Sequence, residues 1–376
     1  MDDKRYWVGF NLVKGIGAVR LQALLDVFGD LETAWNASLF DLAGAGLSRK
    51  LAERVAQVRA SVLLDEFVAQ AEAAGIRILT WQDDEYPLHL KEIDQPPPVL
   101  YLRGEITAED NWAVAVVGTR AVTPYGRQVT EELATVLAHN GVTIVSGLAR
   151  GVDAVAHSAA IKAGGRTLAV LGSGVDRIYP PEHRTMAERI ASHGAVISDY
   201  APGTPPESAN FPPRNRIISG LSMAVVVVEA GDTSGALITA EFAVEQGRDV
   251  FAIPGSIYAP QSKGTNRLLR NGAKTLLTPQ DVLEALDLTR NMERREVRKT
   301  IPSDTIEAAL LDLLGAEPVH VDEIRNRTGL PIEKVSSALT MMELKGMVRQ
   351  VGGMNYVVIR EEQAEYSVDE QAGVSG

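Results

Sequence analysis

Two arginines stand one residue apart in the segment Asn210-Phe211-Pro212-Pro213-Arg214-Asn215-Arg216-Ile217-Ile218-Ser219-Gly220. Prolines pre-set the chain for the first turn of a helix, which puts Arg214 and Arg216 near its N-terminus. Cations there oppose the helix dipole, so helix stability alone does not select them. An anion held between two guanidiniums does, and the planar arginine fork matches phosphate. A carboxylate of the chain's own, Asp199 or Glu229, would answer the same need. Arg120 follows an apolar run directly and points at the same rim; Arg150 lies inside a glycine turn, where solvation is the competing reading. Lys263, in Ser262-Lys263-Gly264-Thr265-Asn266-Arg267, is the lysine best suited to a backbone phosphate, with the Asn266 amide beside it.

Signals for catalysis are thinner. The chain has no cysteine, which excludes disulfides, thiolate metal ligands and a cysteine nucleophile. Neither His157 nor His183 has metal-ligand spacing to another histidine or a carboxylate, so no metal is expected. Ser234-Gly235-Ala236-Leu237-Ile238-Thr239-Ala240-Glu241 resembles the glycine–threonine–glutamate segment of Rossmann-like nucleotide N-ribosyl hydrolases, whose glutamate does acid–base work, although the double glycine that precedes it in those enzymes is missing. A hydrolase with Glu241 as base is therefore the alternative to a protein that binds without catalysing and needs no cofactor.

These residues hang on short apolar runs: 113–117, 142–145, 167–171, 195–197, 224–228, 250–253 and 275–277. The runs are β-branched and lack polar alternation, as strands covered on both faces do, and helix-length segments separate them. The pattern predicts an α/β fold with a doubly wound, Rossmann-like, mostly parallel sheet. Such a sheet gathers ligands where its strands end and helix N-termini expose unpaired N–H groups. Those ends read Gly118-Thr119-Arg120, Ser146-Gly147-Leu148-Ala149-Arg150-Gly151-Val152-Asp153, Gly172-Ser173-Gly174 and Gly231-Asp232-Thr233-Ser234-Gly235. Four glycine-containing turns on one rim predict an anion site, with Asp153 capping its own turn or helix.

Around this sheet domain, placed at 71–287, the chain predicts smaller units. Residues 1–70 form a helical unit whose Gly15-Ile16-Gly17 turn reads either as a helix-hairpin-helix (SAM-like) phosphate contact or as ordinary helix packing. Ile76–Thr80 and Val99–Leu102 extend or cap the sheet, and residues 288–302 form a charged linker. Residues 303–360 read as a winged helix; its recognition-helix position carries only Glu333 and Lys334, so protein contact competes with DNA contact there. An acidic tail, 361–376, is expected to be disordered. The formal net charge is −12, yet residues 113–279 carry 15 Lys+Arg against 13 Asp+Glu, so the acid lies in the flanks. A near-neutral domain can still hold a local basic rim. Without an apolar stretch of membrane-spanning length or a signal-like leader, the chain is expected to be cytoplasmic, with no membrane partner.

Taken in order, Val117-Gly118-Thr119-Arg120, Ser146 to Asp153, Tyr179-Pro180, Asn210 to Gly220, Ser234 to Ala240 and Gly264-Thr265-Asn266 resemble the DNA-processing protein A (DprA/Smf) family. The resemblance spans the whole sheet domain and implies a protein that binds single-stranded DNA, protects incoming strands during natural transformation and loads the RecA recombinase. It also implies a homodimer formed through the Rossmann-like domain. By motif match, Arg120, Arg214, Asn215, Arg216 and Lys263 would line the strand-binding pocket, with Ser146 and Gly147 giving hydroxyl or backbone contacts. Gly118, Thr119, Arg150, Ser234, Gly235 and Asn266 complete the expected DNA-binding set. One departure is Pro181, where many members carry a basic residue; Arg177 and Arg184 are the candidates to compensate. Phe211 and Tyr179 are the available stacking rings.

Overall fold

Apolar runs with no polar face must be covered on both sides, and the strands Ala113–Val117, Thr143–Ser146, Thr167–Val170, Gly194–Ser198 and Ala224–Val227 that they form are buried throughout. A computed structural model describes residues 4–286, 310, 313–314, 319–344, 348–351 and 353–358. The chain divides into two compact units at Leu286. The linker and the acidic tail lie outside the described residues, as do most of residues 303–318.

The first unit opens with six helices: α1 (Lys4–Leu12), α2 (Ala18–Phe28), α3 (Leu31–Asn36), α4 (Leu39–Gly44), α5 (Arg49–Ser61) and α6 (Leu64–Ala73). Then come β1 (Arg77–Thr80), α7 (Leu88–Lys91), β2 (Val99–Gly104), β3 (Ala113–Val117), α8 (Pro124–His139), β4 (Thr143–Ser146), α9 (Val152–Lys162) and β5 (Thr167–Val170). The unit finishes with α10 (Arg184–His193), β6 (Gly194–Ser198), α11 (Phe211–Gly220), β7 (Ala224–Val227), α12 (Gly235–Glu245), β8 (Asp249–Ala252), α13 (Lys263–Arg270), β9 (Lys274–Thr275) and α14 (Pro279–Ala285).

The strands form one sheet in the order β1-β2-β6-β5-β4-β3-β7-β8-β9. From β6 to β9 every neighbouring pair is parallel; β1 and β2 extend the sheet antiparallel. The last apolar run is shorter than its composition suggests: β9 is Lys274–Thr275, and Leu277 is 76% exposed. In β2, β5 and β6, alternate residues feed opposite cores. Leu100, Leu102, Leu168, Val170, Ala195 and Ile197 pack towards α11 and α12. Tyr101, Ala169 and Val196 pack on the other face with α9 and α10. That second core does not stop at residue 70, because it runs on through Trp7, Phe10, Leu21 and Leu24 of the N-terminal helices. Tyr101 fastens the join by donating to Asn11 Oδ1 at 2.9 Å. In the turn between α1 and α2, Arg20 and Arg54 donate to the carbonyls of Gly15 and Lys14 at 2.6 and 3.0 Å, tying the turn to its own helical unit.

The second unit contains β10 (Val319–His320), α15 (Val321–Thr328), α16 (Ile332–Leu344), β11 (Val348–Gln350) and β12 (Asn355–Val358). Its strands order as β10-β12-β11 around a core that includes Ile324, Val335, Leu339, Met342 and Tyr356, the arrangement of a winged helix. On α16, Glu333 and Lys334 both face solvent. Among the described residues no helix is long and apolar enough to cross a membrane.

Candidate functional site

Chain direction across the sheet reverses at β3: β4, β5 and β6 lie on one side, β7, β8 and β9 on the other. Neighbouring connections diverge at such a point and leave a crevice beyond the strand ends. A cavity of about 800 Å³ opens there. Its walls are the turn after β3 (Gly118 to Arg120), the turn before α12 (Gly231 to Ala236), the start of α11, and Ala149, Asp153 and Tyr179.

Buried groups fix the turn that carries Arg120. Thr119 N–H donates to the Glu229 carbonyl at 2.7 Å. The Glu229 carboxylate, 3% exposed, accepts from Thr123 N–H at 3.0 Å and Thr123 Oγ1 at 2.5 Å. Gly151 crosses immediately beneath at φ 79, where a side chain would collide with the Thr119 carbonyl. Arg120 itself is exposed, and among the described residues it meets no acid within ion-pair distance. Its guanidinium lies 5.9 Å from the Phe211 ring centroid, on a ring that also carries Arg214 at 5.8 Å. Tyr179, 40% exposed, continues this surface with its ring 5.7 Å from Phe211.

Beneath the surface the charges are already matched. Arg214 is 5% exposed; its Nη1 donates to Gly147 O at 2.8 Å and to Val170 O. Burial pulls the guanidinium down to about 10, against the opposing pull of Asp153. Asp153 accepts from Gly147 N–H at 3.1 Å and Ala149 N–H at 3.3 Å, while burial pushes its carboxyl up despite the neighbouring Arg214. The turn after β4 thus spends two of its amides on an internal carboxylate, Asp153 being the turn's own cap. The turn before α12 is more open. Ser234 caps the helix through a long 3.4 Å bond from Ala236 N–H, and a side chain at Gly235 would meet nothing within 4 Å. Gly235, the first residue of α12, lines this cavity, and the amides of a helix's first turn have no intrahelical acceptor.

The model of the family of DNA recombination-mediator protein A matches residues 77–287, and that of the DprA winged helix domain matches residues 295–354. The chain belongs to the DprA/Smf family. It is 37% identical to Protein Smf of Synechocystis sp. over 94% of this chain and 98% of that one. It is 42% identical to the DNA processing protein DprA of Bacillus subtilis, over 62% of this chain and 78% of that protein. The X-ray structure of DprA from Streptococcus pneumoniae superposes with a TM-score of 0.66 at 36% identity, covering 76% of this chain and 98% of that one. A structure of DprA from Helicobacter pylori, described for its single-stranded DNA binding mode, superposes at 0.50 with 32% identity, covering 56% and 95%.

In this DprA/Smf member the sequence candidates divide. Gly118, Thr119, Arg120, Arg214, Asn215, Ser234 and Gly235 all line the cavity. Asn215 does so while its Nδ2 donates to Gly235 O at 3.1 Å, joining α11 to the start of α12. Arg216 does not line it, and the idea of an external anion between Arg214 and Arg216 is corrected. Residues two apart on a helix lie on nearly opposite faces. Arg216 instead donates to Gln95 O and pairs with Asp199 at 3.5 Å, so an internal carboxylate takes the place expected for phosphate. Burial pushes the Asp199 carboxyl up, and Arg216 is the main influence holding it down.

The remaining candidates are structural or peripheral to the cavity. Ser146 is fully buried and donates to Val116 O at 2.7 Å, stitching β4 to β3. Gly147 leaves room for Arg214 Nη1, 2.5 Å from where its Cβ would sit. Arg150 is paired with Glu182. Asn266 closes the Gly255 loop, donating to its carbonyl at 3.0 Å and accepting from its N–H at 3.2 Å, and Lys263 is exposed away from the cavity lining. Arg177 pairs with Asp176 at 3.4 Å. Glu241 is exposed on α12 and is not among the lining residues. His157 is buried with Nδ1 2.7 Å from Thr167 Oγ1, and His183 Nδ1 lies 2.8 Å from Leu148 O. Sequence reasoning weighed Glu229 only as an arginine partner. The signal was available: a carboxylate ending a buried apolar strand needs donors at that spot.

Proposed function

We propose that the protein binds single-stranded DNA in the crevice at the β3 switch point and acts without catalysing a reaction on it. The observation that carries this is Arg120: an exposed guanidinium that meets no acid within ion-pair distance among the described residues, carried on a pinned turn in the cavity lining beside an exposed aromatic surface. A cation, an open helix N-terminus and a ring surface are what a flexible polyanion with stackable bases requires. None of them reads base edges, so binding tolerates sequence. The family membership and the H. pylori relative, described for its single-stranded DNA binding, support the same reading. Asp153 is the carboxylate among the lining residues, and its oxygen already accepts two amides; Glu241, which the hydrolase alternative needs as base, lies outside the lining.

Fluorescence anisotropy with oligothymidylate and a duplex of equal length, at roughly 50 and 200 mM salt, tests the proposal. Tighter binding of the single strand and a steep loss with salt are expected. Equal affinity for duplex, or a flat salt response, opposes it. RecA loading during natural transformation and a homodimer through the sheet domain complete the proposed role. RecA assembly on single strands with and without the protein tests the first, and sedimentation of the purified chain tests the second.

A further inference from the structure

A smaller hollow of about 30 Å³ adjoins the main cavity, sharing Arg120, Arg214, Tyr179 and Phe211 with it and adding Gly147 and Arg150. Two loops border it, the turn after β4 and the segment around Pro180, and two contacts clasp them together. His183 Nδ1 donates to Leu148 O at 2.8 Å in a part-buried bond. Arg150 pairs with Glu182, its Nε at 2.6 Å and Nη2 at 2.5 Å from the same Oε1. These side chains are 59% and 48% exposed, so this ion pair is open to water and to competing ions. The loop does not depend on it. Leu148 holds the left-handed φ of 57 with its side chain fully buried, and Asp153 binds the amides on either side.

Glu182 therefore presents a carboxylate oxygen to two N–H donors in the way a phosphate oxygen would. We propose that Arg150 is a second phosphodiester subsite, next along the strand from Arg120, and that Glu182 fills it until a nucleic-acid strand displaces the carboxylate. The inference rests on the proposed function above and adds selectivity to it. A mononucleotide at Arg120 leaves the Arg150–Glu182 pair closed; a strand with successive phosphates offers a replacement anion.

The test is a mutant cycle on the full chain, read by anisotropy with a fluorescein-labelled oligothymidylate across roughly 50 to 200 mM salt. Glu182→Gln should raise affinity about two- to fivefold. Arg150→Ala should lower affinity and flatten the log–log salt slope by about 0.7, the share of one phosphate on a single strand. In the Arg150→Ala background, Glu182→Gln should give no gain. An equal gain in both backgrounds would show a general charge effect and overturn the subsite, and so would no gain in either. Arg120→Ala runs alongside: if it weakens binding while the pair is silent, the subsite alone fails, whereas no effect of Arg120→Ala means the pocket reading itself fails.

Discussion

Arg214, Arg216 and Arg120 share one side-chain chemistry and have three different roles, decided by what surrounds each guanidinium. Arg214 is a buried strut donating to carbonyls at the ends of β4 and β5, Arg216 neutralises Asp199, and Arg120 meets no acid among the described residues. Losing Arg216 would leave the Asp199 carboxylate part-buried without its main cation, a situation that costs about 1–3 kcal/mol. Arg216→Met should lower the unfolding free energy in urea by that order, and Asp199→Asn in the same chain should recover most of it. Affinity for single-stranded DNA should stay within about twofold, roughly 0.4 kcal/mol, since Arg216 does not line the cavity. A large loss of affinity with normal stability would return Arg216 to the binding surface.

At the level of elements, α9 carries two buried titratable groups one turn apart whose effects on stability have opposite sign. Burial pulls His157 down to about 3 from its ordinary 6.5. The unfolded chain therefore takes up a proton that the fold does not as pH falls from 6.5 towards 3. Stability is complete above that window and is lost on acidification, by up to about 1.4 kcal/mol per pH unit. Asp153 is pushed up, so between the ordinary carboxyl value and its raised one the fold holds the extra proton. Its contribution grows as pH falls and is lost as pH rises through the raised value. Urea midpoints at pH 7.5 and 5 should differ in the wild type, and His157→Gln should remove much of that difference. Parallel pH profiles for the two proteins would show that His157 does not set the acid sensitivity.

Across the whole molecule, the sheet was legible because its physics is local. Runs such as Ala113–Val117, without a polar face, can only be strands covered on both sides, and the glycine turns that follow them mark the strand ends. Pairing of charges was legible only in part, because it depends on contacts distant in sequence. Asp199 was named as a possible partner of the arginine pair, and it is Arg216 that takes it, whereas Glu182 comes from a segment that no spacing rule links to Arg150. The continuity of the N-terminal helices with the sheet escaped for the same reason, since Trp7 and Val196 come to share one core only when the chain is folded. The acid responsible for the formal net charge of −12 lies mainly in the flanking segments, which leaves a local cation free to act at the crevice. That cation is Arg120, and the most direct measurement is the salt dependence of oligothymidylate binding by Arg120→Ala beside the wild type. The predicted result is an affinity about tenfold lower with a log–log slope shallower by about 0.7, at unchanged thermal stability. An unchanged affinity and slope would contradict the account.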